Sequence, residues 1–213
     1  ETVVVSGKQD ITPLLKRAFL FLEDGDFTNA DEYVEKVLDI NPECAEAYIV
    51  KLLSDLRLRK PEQLTTCPSP IASNSNFSKA IRFASLEYRN VLQEYKNANI
   101  EHIAKAKEQA RKEAIYEQAL DRLSVAPDDI AYKKSIAELE SIIDYKDSKE
   151  YVEKADLEIK KVIYKKAKAY LVYNNIENYK EAANLFGTIC DYEDSKELLE
   201  NCILYNLNGN IIS

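Results

Sequence analysis

The sequence predicts an all-α fold, a solenoid of antiparallel helical hairpins. Three observations point there. Only four glycines and six prolines occur in 213 residues, whereas strand-rich folds need many tight turns with Gly or Asn at positive φ. Ala, Leu, Glu and Lys dominate instead, and these are good helix formers. The heptapeptide DYKDSKE (144–150) also returns 47 residues later as DYEDSKE (191–197). Hydrophobic residues at 46% and charged residues at 31% allow a buried core and a solvated surface, which excludes a disordered composition.

Taken in order, residues 1–12 (ETVVVSGKQDIT) carry a short β-branched run and Gly7 and read as a linker or edge segment. Helix starts at Thr12-Pro13, with Thr as N-cap and Pro at the first helical position. Leu14, Leu15, Ala18, Phe19 and Leu22 follow at helical spacing. Gly25 in EDGDF breaks this helix. A second run holds Ala30, Tyr33, Val34, Val37 and Leu38 and stops at Asn41-Pro42. A third holds Ala45, Tyr48, Ile49, Leu52, Leu53 and Leu56. Residues 13–60 thus form one helical repeat and a following helix. The proline-bearing polar segment 61–76 reads as an exposed loop and hinge.

From Phe77 to residue 213 a longer period takes over. ARKEAIYEQA (110–119) lies over EIKKVIYKKA (158–167), and residues 131–150 lie over 178–197, with a one-residue slip around Pro127 and Asn174. The unit is a long helix, a short loop, a short helix and the heptapeptide turn, so turns are expected at 144–147 and 191–194. In each turn Asp147 or Asp194 stands three residues before Glu150 or Glu197, the spacing of a capping box worth about 1 kcal/mol. Tyr145 and Tyr192 precede the caps and are placed to fold back over the hairpin. A cation site at Asp144, Asp147, Asp191 and Asp194 would need a glycine-centred loop of alternating oxygens, which these turns lack. Tyr116/Tyr164, Tyr132/Tyr179 and Tyr145/Tyr192 occupy equivalent positions, as expected of packing between repeats.

Residues 11–44 resemble a tetratricopeptide repeat (TPR). Ala18, Phe21, Gly25, Ala30 and Pro42 match its small, aromatic, turn and closing positions, while Leu14 and Arg17 depart from it. Helix pairs ending in YKDS are similar to tandem repeats of bacterial proteins with TPR-like regions, often beside a zinc ribbon or membrane anchor. Residues 14–48 resemble the same group, seen especially in gut Firmicutes. The resemblance implies right-handed superhelical stacking, a bacterial cytoplasmic setting and no reaction. It also implies a groove lined by the first helix of each repeat, which places Leu15, Phe19, Leu22, Ile49 and Leu53 as the partner-binding residues. Their apolar character argues against a clamp for a C-terminal carboxylate. It suits an apolar or amphipathic helix, or packing against the chain's own neighbouring segments.

The remaining composition excludes several functions. The formal net charge of −8 offers no field for nucleic acid. Lys105, Lys107, Arg111 and Lys112 alternate with Glu108 and Glu113, as on a solvated helix face. Cys44, Cys67, Cys190 and Cys202 form no CxxC pair and His102 is the single histidine, too few ligands for structural zinc. The cysteines read as small apolar fillers of a reducing compartment, with two disulfides left open by counting. No run reaches membrane-spanning length, and no phosphate-binding or nucleophile-elbow motif occurs. His102 sits in a polar helical stretch without a nucleophile in register. Neither an enzyme, a cofactor nor a metal is expected. The expected function is a non-catalytic protein–protein interaction scaffold for a protein or peptide partner. The alternative is a structural spacer or assembly module linking missing flanking domains. The start at Glu1 reads as a processed product or excised piece; the setting reads as cytoplasmic, with a flanking signal or anchor left open.

Overall fold

The computed structural model describes residues 10–125, 128–173 and 175–209. Most of the segment expected as linker or edge strand, residues 1–9, lies outside these, as do Pro127 and Asn174 of the register slip. The described residues form nine α-helices, two short 3-10 turns and no strand. The helices are α1 (Thr12–Asp24), α2 (Phe27–Ile40), α3 (Ala45–Leu56), α4 (Ser75–Phe83), α5 (Leu86–Ser124), α6 (Asp129–Glu140), α7 (Ser148–Leu171), α8 (Ile176–Gly187) and α9 (Ser195–Gly209). Consecutive helices pack on one another in hairpins, the arrangement of a helical repeat and compatible with a solenoid. The chain divides into two compact units, Glu1–Gln109 and Ala110–Ser213.

In the first unit, α1 packs on α2 and α3, α2 on α3, and α3 on α4. Ala18 and Ala30 are wholly buried, and small side chains there let the two helix backbones approach. Gly25 ends α1 at φ +80°, donating to the Leu22 carbonyl while Asp26 donates to that of Phe21. This is the left-handed stop that favours glycine. The turn is tight on its outer side too, since a Cβ on Gly25 would lie 3.0 Å from the Arg59 guanidinium. Asp26 then caps α2 by accepting the Asn29 N–H at 3.1 Å. Thr12 is the first helical residue rather than the cap, because the Asp10 carboxylate already accepts its N–H at 2.9 Å.

The segment 61–76 differs from the exposed hinge expected of it. It folds into 3-10 turns at Pro61–Thr65 and Ile71–Ser73, and Leu64, Cys67 and Ile71 are buried in the first unit's core. The reason lies on α5. Fully buried Asn99 accepts the Ile71 N–H at 3.1 Å and donates to the Cys67 carbonyl at 3.0 Å. One amide therefore satisfies a backbone donor and acceptor that burial would otherwise orphan. The division between units falls inside α5 instead, where residues 104–111 are all exposed.

The second unit shows that the copied sequence is a copied structure. Ala119 and Ala167, Leu139 and Phe186, Ile142 and Ile189, Ser148 and Ser195, and Ala155 and Cys202 are all buried at matching positions. Lys146 and Glu193 both adopt φ +48°, the left-handed corner of the heptapeptide turn. Two apolar clusters result. One joins α5, α6 and α7 around Tyr116, Leu139 and Tyr145; the other joins α7, α8 and α9 around Ile163, Phe186 and Cys202.

Candidate functional site

In both copies the heptapeptide turn is tied by a long-range side-chain contact, and the first copy lacks the capping box. Asp147 stands at the N-cap of α7 but makes no side-chain cap bond. Its carboxylate accepts from the Tyr116 hydroxyl on α5, and Glu150 pairs with Lys154 at 2.6 Å. The second turn repeats the device: the Tyr164 hydroxyl donates to Asp194 at 2.5 Å. The Asp147 carboxylate turns to a phenol thirty-one residues away and makes no bond to its own helix, which corrects the capping expectation at the first turn. Tyr145 and Tyr192 do fold back, meeting Tyr116 and Tyr164 edge to face at 6.0 and 5.6 Å between ring centroids.

Charges reinforce both turns. Glu113 accepts from Lys146 at 2.5 Å and from the Tyr145 hydroxyl. Those donors, Lys146 first, hold its carboxyl below the ordinary value. Lys160 bridges Asp191 at 2.6 Å and Asp156 at 2.9 Å. The same contact lowers the Asp191 pKa and raises that of Lys160. Bonding to Asp147 raises the pKa of Tyr116, and bonding to Asp194 that of Tyr164.

Beside the second turn lies an open groove of about 300 Å³ between α6, α7 and the end of α8. Its floor is aliphatic: Ile136, Ile159, Ile163 and Ile189. Its rim carries Lys133 and Glu140 on α6 and the ion pair Asp156–Lys160 on α7. Helical spacing positions each group, because Lys133, Ile136, Ala137 and Glu140 share one face of α6, as Asp156, Ile159, Lys160 and Ile163 share one face of α7. An aliphatic floor with charged walls suits a side chain from an amphipathic helix. A second hollow, about 400 Å³ between α2 and α3, is lined by Asp31, Glu32, Asp55 and Arg57. There Asp31 meets Lys51 at 3.1 Å, Asp55 accepts from Asn76 at 3.2 Å, and Arg57 lies over the Phe27 ring. Its charges are largely engaged in holding the helices.

The five residues placed on a groove by resemblance come together, but in the core of the first unit. Leu22, Ile49 and Leu53 have no exposed surface, while Leu15 and Phe19 are half-buried against the same cluster. What these side chains touch is the chain itself. The groove isoleucines carried only the ordinary i, i+4 signal of a buried stripe, so nothing local marked them as facing an opening. All four cysteines are free thiols; Cys44, Cys67 and Cys202 are buried and Cys190 is exposed. Burial raises the pKa of the three buried thiols. His102 is exposed on α5. Among the described residues no group of three or more His, Cys, Asp or Glu could hold a metal ion, and no helix is long and apolar enough to cross a membrane. No protein-family model matches the chain, and neither does any curated protein or solved structure.

Proposed function

We propose that the chain is a non-catalytic protein–protein interaction scaffold of TPR-like α-solenoid type, docking its partner on the second unit. The observation that carries this reading is the open groove over Ile136, Ile159, Ile163 and Ile189. Water on an aliphatic floor is released when an apolar side chain enters, and the charged walls select what flanks it. Leu22, Ile49 and Leu53 are too deeply packed for this role. The bacterial cytoplasmic setting belongs to the same proposal and rests on the sequence resemblance alone.

The test is to capture partners with the full chain, purify the one recovered, and measure its affinity for wild type and Ala137→Trp. Ala137 is exposed on the groove wall, so the indole fills the opening without entering the core. Loss of about tenfold or more in affinity is expected; equal affinity for both chains refutes the groove. A second reading, an assembly module, is favoured by the exposed apolar residues Ile203, Leu204 and Leu207 of α9.

A further inference from the structure

Helix α9 turns Leu198, Leu199 and Cys202 inward against the core it shares with α7 and α8. Its outer side exposes Ile203, Leu204 and Leu207 at 46%, 57% and 57%. The repeat shows where this face departs from its copy. Moving back by the 47-residue offset, Ile203 and Leu207 stand where α7 has Asp156 and Lys160, an ion pair at 2.9 Å whose lysine also bridges Asp191, and Leu204 stands where α7 exposes Leu157. At two of these three places α9 therefore exposes aliphatic side chains where α7 carries a paired charge. Such a stripe is a contact surface in search of an aliphatic partner.

The second unit itself carries a surface of that kind. Building on the groove reading above, we propose that the occupant of the groove is helix α9 of a second copy of this chain. Charge and spacing both support the match. Glu197 and Glu200 precede the aliphatic stripe on α9. On the groove rim Lys133 is 66% exposed and meets Asp129 only at 3.9 Å. Seven residues separate Glu200 from Leu207 and Lys133 from Glu140, a helical rise of about 10 Å in each case. Glu200 over Lys133 thus sets Ile203 and Leu204 above the isoleucine floor. The reverse direction would bring Glu200 against Glu140, so like charge selects one orientation.

Stripe and groove are different surfaces of one unit, so the contact is heterologous. Each copy that donates α9 keeps a vacant groove, and assembly continues unless the rotation closes a ring.

Sedimentation velocity on the full chain, from dilute to concentrated solution, tests this. The wild-type mass is expected to rise with concentration past that of a dimer. Leu207→Glu, at an exposed position, should weaken association about tenfold or more. Lys133→Glu and Glu200→Lys should each weaken it about two- to fivefold, and the double reversal should recover it. Circular dichroism checks that each variant keeps its helix content. A wild type that stays monomeric throughout overturns the proposal. So does association indifferent to Leu207→Glu, or a double variant no stronger than the singles. If self-association fails while Ala137→Trp still blocks a purified partner, the second copy falls and the scaffold reading stands. If Ala137→Trp blocks neither, both fall.

Discussion

At the scale of single residues, one polar side chain that holds the first unit together is not advertised by the sequence. Asn99 sits in the polar run NANIEH, where helical spacing reads as solvated surface. Its partners, Cys67 and Ile71, lie 32 and 28 positions away. No local pattern encodes such a contact, and this is why the segment 61–76 read as an exposed loop. Leu22 and Gly25, by contrast, were legible from periodicity and from the need for positive φ at a helix stop. Asn99→Ala leaves the Ile71 N–H and Cys67 carbonyl buried without partners, and should lower the stability of the first unit by about 2–4 kcal/mol. Urea unfolding measures it. A loss within the scatter of ordinary surface substitutions, about 0.5 kcal/mol, would mean that water reaches those groups.

At the scale of elements, the heptapeptide was legible as a turn because it is written twice, but its mechanism was not. Capping is a local rule, whereas the bonds observed run from Tyr116 to Asp147 and from Tyr164 to Asp194, across 31 and 30 residues. The buried Ser148 and Ser195 supply the small residue needed where the new helix passes close to the core. The ionic bonds of these turns make the second unit sensitive to acid. Glu113, held by Lys146 and Tyr145, and Asp191, held by Lys160, both have folded pKa values below their ordinary 4.5 and 3.8. A depressed carboxylate stabilises the fold above its unfolded pKa, and that contribution disappears as pH falls through the folded value. The thermal midpoint should therefore drop as pH is lowered from about 5 towards 2. Glu113→Gln, which cannot titrate, should flatten part of that decline. Circular dichroism melts across this range decide it: an unchanged slope in Glu113→Gln would remove Glu113 from the acid response. Because Glu113 is only part-buried and Asp191 is exposed, solvent screening keeps each effect small.

At the scale of the whole molecule, scarcity of glycine and the recurring period made the all-helical, repeat-like character readable before any coordinate. The boundary between the units was not readable, because helix periodicity runs through α5 without a break and no proline or glycine punctuates it. The available signal was chemical: AKAKEQAR (104–111) has no large apolar residue, so no side chain there belongs to a core. The first unit's buried cluster takes Leu92 from α5, and the second unit's clusters begin on α5 at Ile115 and Tyr116. Each unit thus owns its apolar cores, and the intervening turns of α5 rest on their own backbone bonds and on pairs such as Glu101–Lys105 at 3.2 Å. Proline in a helix interior removes one backbone bond and clashes with the preceding turn, at about 3 kcal/mol. Ala106→Pro should confine that penalty locally, breaking α5 while leaving the unfolding free energies of both units, from urea titration, within about 0.5 kcal/mol of wild type. The same change at Ala119, wholly buried against Tyr116 and Leu139, should abolish folding of the second unit alone. Hydrogen exchange read segment by segment separates the cases. A single cooperative transition lowered throughout by Ala106→Pro would show that α5 couples the two units energetically, and that their cores do not suffice on their own.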